Sequence, residues 1–276
     1  MIRFLILPSV LLVAAFSFAA DPQPATAPKP KPPEHPFTPG GIYRAGDMKR
    51  PRPSVVTPPT ASTQEKAGKP PGDALVLFDG TDFSHWTREI PKNDPAPDDT
   101  TPKWKIEDGC AVCTPKSGTL KCKDKWGSAQ LHVEWATPEK VEGNSQGRGN
   151  SGILTTLWGE VQVLDSFEND TYPDGQAAAL YNKYPPLVNV SRKPGEWQTY
   201  DIIGQCAEIK DGKVVTPAML TVIHNGVVVH HAVVFDSKTQ DWSFALQDHH
   251  NPVRFRNIWV RPLHRYDENA RLTEEK

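Results

Sequence analysis

From Ala74 to His264 the chain is a succession of short apolar runs broken by turn signals, and no stretch sustains the 3.6-residue apolar period of a helix. Ala74–Phe78 runs into Asp79-Gly80, and Trp104–Ile106 and Cys110–Cys113 flank Glu107-Asp108-Gly109. Gln130–Trp135 alternates until Pro138 and Gly143, and Ile153–Leu157 and Val161–Leu164 flank Trp158-Gly159. Trp197–Ile203, Val214–Ile223, Val227–Phe235 and Ile258–Leu263 complete the series. Asn225-Gly226, between two of these runs, is the clearest hairpin signal, because both central residues of a type I′ turn need positive φ. Many strands at short spacing with few helices predict an all-β domain, a β-sandwich or jelly roll. About 190 residues are enough for one such domain with a sizeable core.

The segments on either side have a different character. Over residues 1–20, Arg3 supplies a positive start, Phe4 to Phe18 an apolar stretch and Ser17-Phe18-Ala19-Ala20 a small-residue cleavage site, the pattern of an export signal. The apolar stretch is too short for a membrane span, so the mature chain is expected to be secreted or periplasmic with no span of its own. Residues 21–72 are Pro-rich and favour extended backbone. The first part, 21–35, reads as a disordered spacer. Residues 36–72 carry Phe37, Ile42, Tyr43, Met48, Val55 and Val56, too apolar for a plain linker, and are expected to form an extended arm along the domain. The domain itself is placed at 73–264 and a charged tail at 265–276.

A formal charge of −2 from 31 basic and 33 acidic residues leaves no basic stripe to displace phosphate counterions, which argues against nucleic acid. Four cysteines are present: Cys110, Cys113, Cys122 and Cys206. Cys110-Ala-Val-Cys113 is a C-x-x-C without a second pair or nearby His pair to complete a zinc site, and it lies in a strand pattern where a redox C-x-x-C opens a helix. Buried small residues or one structural disulfide are the expected roles.

Chemistry concentrates in Glu160-Val161-Gln162-Val163-Leu164-Asp165. In a strand Glu160 and Gln162 share a face and Asp165 points away, unless a β-bulge at Val163-Leu164 turns it back. The E-x-Q-x-x-D spacing resembles the E-x-D-x-x-E bulged strand of laminarinase-like glycosidases. Retaining hydrolysis, however, needs two carboxylates about 5–5.5 Å apart, and here the middle carboxylate is an amide. The competing reading is that Glu160 and Asp165 satisfy backbone groups or bind calcium at a sheet edge. A second candidate is Gln247-Asp248-His249-His250-Asn251, where His249 has the side chain best suited to proton transfer near neutral pH. By itself that stretch reads as a polar turn. Arg148, Asn150, Tyr172, Tyr181, Lys183 and Tyr184 are the loop residues a sugar site would use, with aromatic faces for C–H surfaces and amides or guanidinium for hydroxyls. Trp86, Trp104, Trp135, Trp197 and Trp242 are expected in the core.

Taken together the motifs resemble those of the 3-keto-disaccharide hydrolase family, also described as 3-keto-glucoside 1,2-lyase / 3-keto-2-hydroxy-glucal hydratase. They run in order from Leu77-Phe78-Asp79-Gly80 and Trp86 through Gly149-Asn150-Ser151-Gly152-Ile153 and Glu160–Asp165. Gly195–Ile202, His224-Asn225-Gly226, Leu246–His249 and Val253–Ile258 follow. One departure is His250, where the family usually has Gly. The resemblance covers roughly residues 74–263 and implies a concanavalin A-like jelly roll, which the disordered or extended Pro-rich arm read from composition precedes. It also implies cleavage of a 3-keto-sugar substrate: a base takes the C2 proton, the C1 substituent leaves, and water adds to the glucal. Such chemistry asks for a base near C2 and for stabilisation of the C3 oxyanion. The candidate catalytic residues are Glu160, Asp165 and His249. Arg148, Asn150, Gln162, Tyr181, Lys183, Gln247 and Arg256 are the candidates for substrate binding. A divalent cation held by carboxylates and His is a further way to stabilise the enediolate. The alternatives are a carbohydrate-binding module of the same fold without catalysis and a conventional retaining glycosidase.

Overall fold

The computed structural model describes residues 35–90, 92, 94–96, 98–264 and 266. The export signal, the start of the Pro-rich segment and all of the charged tail but Tyr266 lie outside these residues. The chain divides into two compact units, 1–50 and 51–276. In the first, Phe37 and Arg44 form an antiparallel bridge and the Arg44 guanidinium sits 4.4 Å from the centre of the Phe37 ring.

The second unit is a sandwich of two antiparallel sheets. The larger contains β1 (Leu75–Phe78), β3 (Lys105–Glu107), β4 (Cys110–Val112), β6 (Ala129–Ala136), β9 (Gln198–Gln205), β12 (Ala218–His224), β13 (Val227–Phe235) and β15 (Arg254–Pro262). Their order is β13-β12-β9-β6-β15-β4-β3, with β1 also paired to β15. The smaller sheet has β2 (Trp86–Glu89), β5 (Thr119–Cys122), β7 (Ser151–Thr155), β8 (Gly159–Val163) and β14 (Phe244–Leu246), in the order β2-β5-β14-β7-β8. A separate hairpin joins β10 (Glu208–Lys210) to β11 (Lys213–Thr216).

Alternation along each strand builds the core. Leu131, Val133, Trp135, Tyr200, Ile202, Leu220 and Val222 point inward from the large sheet and meet Trp86, Leu120, Ile153, Val161, Val163, Phe244 and Leu246 from the small one. All are essentially inaccessible to water, and the apolar area removed from solvent is the main driving force for closing the two layers. Trp86, Trp104, Trp135, Trp197 and Trp242 are all buried.

Asn225 and Gly226 adopt φ of 50° and 80° between β12 and β13, the backbone a type I′ turn requires. The run Val214–Ile223 is two strands, because Pro217 falls between β11 and β12 and has no N–H to give to a ladder. The four cysteines are buried and unbridged, which favours their role as small core residues over a disulfide.

Residues 57–72 fold against the outer face of the large sheet. The two limbs of this arm are joined by Thr60 N–H to Lys69 O at 3.0 Å and Gly72 N–H to Thr57 O at 2.9 Å. At its tip the Gln64 amide clamps the Trp197 backbone, donating to its carbonyl at 3.1 Å and accepting from its N–H at 2.6 Å. The Ser62 hydroxyl donates to Glu134, and Arg256 donates to the Thr63 carbonyl at 2.6 Å.

Candidate active site

Val161 and Val163 of β8 face the core, so Glu160 and Gln162 face outward. Their partners on β7 are Leu154, opposite Glu160, and Gly152, opposite Gln162. Two rows cross the outer face of the small sheet. One holds Glu160, Leu154, Ala245, Lys121 and Thr87, and the other holds Gln162, Gly152, Thr119 and Glu89. Gln247, just beyond the end of β14, continues the second row by donating its N–H to the Gly152 carbonyl at 2.9 Å. On the other flank, residues 178–181 run along β8. Leu180 bridges Val161, and the Tyr181 N–H donates to the Glu160 carbonyl at 3.1 Å. Leu180 is buried with Val161, so Tyr181, directly opposite Glu160, shares its outward face.

The Glu160 carboxyl lies over Gly152, and a Cβ there would stand 2.1 Å from Oε1. The missing side chain is what leaves room for it. No described residue forms a hydrogen bond or ion pair with this half-buried carboxyl, and burial alone lifts it from 4.5 to about 7. Gln162 is buried beside it, and its amide donates to Gln146 Oε1 at 3.0 Å. Asn150 donates to the Gln146 carbonyl at 2.7 Å, so Gln146 links the two candidates. Gln247 Oε1 is buried, and no described residue forms a hydrogen bond with it.

The bulge expected at Val163-Leu164 is not there. The β7–β8 ladder keeps one register from Gly159 to Val163, where β8 ends. The offset falls in the partner instead. Ser151 faces Val163, yet Asp165 N–H donates to the Arg148 carbonyl at 3.0 Å, which leaves Gly149 and Asn150 opposite Leu164 alone. Gly149 has φ of +54°, and a Cβ on it would stand 2.7 Å from Thr137, so the extra residue is accommodated by glycine. Asp165 is buried and bonded to Arg148, accepting from Nε at 2.9 Å, and it also accepts the Phe167 N–H. Neither Asp165 nor Arg148 is free to act on a substrate at Glu160 without breaking that pair.

Two other candidates are also engaged elsewhere. Lys183 Nζ donates to the Trp158 carbonyl at 3.0 Å and lies 5.5 Å from the Phe235 ring centre, at the β7–β8 turn. Arg256 belongs to β15 in the other sheet. There it donates to the fully buried Glu134 at 2.7 Å and stacks on Trp197 at 4.1 Å, so its place among the substrate-binding candidates is corrected to a structural one. It was misplaced because a strand pattern tells which residues alternate and not which sheet receives them.

His249 lies in the exposed loop after β14, two residues past Gln247. His250 adopts φ of +65°, the left-handed backbone that glycine takes without strain. This loop is anchored by Asp248, whose carboxylate accepts from Gly118 N–H at 3.0 Å and His250 N–H at 3.0 Å. Beside it, Glu89, Thr119, Lys116 and His250 border a cleft of ≈ 570 Å³ at the far end of the outward face.

Sequence reasoning assigned no role to Gly152 or Gln146, and it noted Tyr172 without placing it in the site. The Tyr172 hydroxyl meets that of Tyr181 at 2.5 Å. Gly152 was quoted within a motif, but a glycine cradling a carboxylate is recognisable only once the β7–β8 register is known. Among the described residues no group of three or more His, Cys, Asp or Glu is arranged to hold a metal ion, and no helix is long and apolar enough to cross a membrane.

Residues 73–261 match the model of the 3-keto-alpha-glucoside-1,2-lyase-like domain. A candidate glycosyl hydrolase from Parabacteroides distasonis ATCC 8503 is 37% identical, over 83% of this chain and 100% of that one, with a TM-score of 0.68. Another from the same organism is 19% identical over 70% of this chain and 94% of that one, with a TM-score of 0.52, and shares the fold. No curated protein matches the chain. The family match and the similar glycosyl hydrolase structure, on a jelly-roll sandwich, thus mark a carbohydrate-acting protein of the glycosyl hydrolase type. Within that class the chain belongs to the 3-keto-alpha-glucoside-1,2-lyase-like family.

Proposed function

We propose that this protein cleaves 3-keto-glycosides by elimination, with Glu160 as the base that removes the C2 proton. The observation that carries the reading is the unpaired, desolvated Glu160 carboxyl held over Gly152. A base works best when its pKa lies near the working pH, and burial brings Glu160 there. The ketone at C3 makes the C2 proton acidic. Once Glu160 takes it, the electrons spread onto the C3 oxygen, and their return expels the C1 substituent and leaves a 2-hydroxy-glucal. Water adding across that double bond completes a net hydrolysis, and His249, exposed at the rim, is assigned to proton transfer in that second step. Gln247, at the end of the row that holds Gln162 and Gly152, is the proposed contact for a sugar hydroxyl once its amide turns outward.

The same face does not suit a retaining glycosidase. Gln162 is an amide and Asp165 is tied to Arg148. The next outward carboxylate, Glu89, is four strands away, about 19 Å at roughly 4.8 Å per strand, against the 5–5.5 Å that mechanism needs. The leader pattern over residues 1–20 supports our proposal that the protein works in the periplasm or outside the cell.

The test is to incubate the purified protein with a 3-keto-glucoside and with the matching unoxidised glucoside. Aglycone should appear from the keto form alone, and Glu160→Gln should lower that rate by about 10²–10⁴-fold, the usual contribution of a positioned base. Turnover of the unoxidised glucoside would sink the elimination mechanism, and binding without turnover would show a carbohydrate-binding module.

A further inference from the structure

Resting on Glu160 as the base, we propose that the hydroxyl pair of Tyr181 and Tyr172 is the acid that protonates the departing C1 oxygen. Elimination needs a proton at the leaving oxygen on the same substrate from which Glu160 takes one, and a tyrosine side chain rises from the segment paired to Glu160 on the same outward face. Tyr181 stands directly across from Glu160 on the outward face, held by its own N–H to the Glu160 carbonyl at 3.1 Å. Side chains opposite one another in an antiparallel pair have Cβ atoms about 4.5–5.5 Å apart, and with the Glu160 carboxyl leaning over Gly152 a sugar lying across β8 can touch both groups.

Tyr172 completes the pair from the 173–175 turn. Its ring packs on Gly175, where a Cβ would stand 2.1 Å from Cε2, and meets Tyr181 at 62° with centroids 6.2 Å apart. The two hydroxyls are 2.5 Å apart. Burial, the bond with Tyr181 and the nearby charges, Glu160 among them, push the Tyr172 hydroxyl up to about 12. It therefore stays protonated and serves as the donor that steadies its neighbour.

In the step, the C2–H bond breaks and its proton goes to Glu160. The electron pair forms the C1=C2 bond by way of the enolate, and the C1–O bond breaks with its pair on oxygen. That oxygen takes the Tyr181 proton while the Tyr172 O–H hydrogen-bonds the phenolate left behind. After product leaves, the proton on Glu160 returns to Tyr181 through water, and the site is restored. Tyr181 is the catalytic residue and Tyr172 the positioning one.

Two 3-keto-glucosides with different leaving groups test this. A p-nitrophenolate departs without a proton and a methoxide does not. For Tyr181→Phe, kcat on the methyl substrate should fall about 10²–10⁴-fold, as for a lost general acid, with a loss under about 10-fold on the p-nitrophenyl substrate. Tyr172→Phe should show the same preference in weaker form. Equal losses on both substrates, in variants that melt like the wild type, would overturn the proposal and leave the elimination reading intact. A wild-type protein inactive on both would overturn the two together. A readout without substrate is the tyrosine ultraviolet titration. The component that titrates near 12 should disappear in Tyr172→Phe and shift to lower pH in Glu160→Gln, separate from the fully buried Tyr200, and no change in either would refute the proximity it depends on.

Discussion

Gly152→Ala is the sharpest perturbation of the proposed base, because it leaves every titratable group in place. The added Cβ would stand 2.1 Å from Glu160 Oε1, 2.9 Å from Cδ and 3.0 Å from Cγ. Carbon and oxygen settle into contact at roughly 3.2–3.5 Å, so the carboxyl must retreat by more than about 1 Å, and a misplacement of that size costs on the order of 10²-fold in rate. All three close atoms belong to one flexible side chain, so the fold gives little. Gly152 does not have positive φ, and replacing a strand glycine by alanine is worth about 0.5–1 kcal/mol in favour of the folded state. The expected result is a loss of about 10²-fold or more in keto-glucoside cleavage with a melting temperature equal to or a few degrees above wild type. The displaced carboxyl moves towards water, so the acid limb of the pH–rate profile should also shift to lower pH. A folded Gly152→Ala protein within threefold of wild-type kcat/KM would refute the claim that Glu160 acts from its place over the glycine.

Two further outcomes follow from the charges. With burial holding Glu160 at about 7, kcat/KM should climb as pH rises through 7 and then level off, and a profile flat from pH 5 to 9 would exclude it as the base. The same shift acts oppositely on stability: a carboxyl raised in the folded state favours folding at low pH and loses that contribution between its ordinary 4.5 and about 7. Glu160→Gln should therefore raise the melting temperature at pH 8 and leave it unchanged at pH 4. On the back sheet, burial opposes the His132 charge, yet bonds from Asp201 and Glu134 outweigh it and raise His132 from 6.5 to about 9. Glu134 is likewise desolvated, but His132, Asn257, Ser62 and Arg256 bring it from 4.5 down to about 2. His132 stabilises fully below 6.5 and fades through 9, while Glu134 stabilises above 4.5 and fades towards 2. Melting curves of wild type and His132→Gln should thus converge as pH rises from 6 to 10, and parallel curves would show that the ion pairs contribute nothing measurable.

The fold was legible where strands were long. β6, β9 and β12 alternate over 7 to 8 residues, enough for the period to stand out, and Asn225-Gly226 marks its own turn. Three of the five strands that carry the site, β2, β5 and β14, are only 3 or 4 residues long and show no period. Their identity depends on partners far away in the chain. For the same reason Glu160 and Gln162 could be placed on one face from spacing, whereas the partner of Asp165, the cradle at Gly152 and the opposition of Tyr181 to Glu160 required the register. Arg256 shows the reverse failure: residue type suggested a sugar ligand, and only the other sheet's Glu134 and the arm explain a guanidinium there.

A sandwich has two outer faces, and in this chain the arm lies on part of one. It comes from outside the segment that matches the family and brings groups of its own to Glu134, Arg256 and Trp197 on the back of the large sheet. Ser62 satisfies Glu134, the Thr63 carbonyl satisfies Arg256, and Gln64 satisfies both backbone groups of Trp197. It serves that face as a tethered peptide would, always present at high local concentration and needing no encounter. Where the arm lies, a ligand would have to displace part of the chain itself to reach Glu134, Arg256 or Trp197. A protein beginning at residue 73 would lose these bonds, leaving Glu134 held by Arg256, Asn257 and His132 and the Trp197 backbone without its clamp.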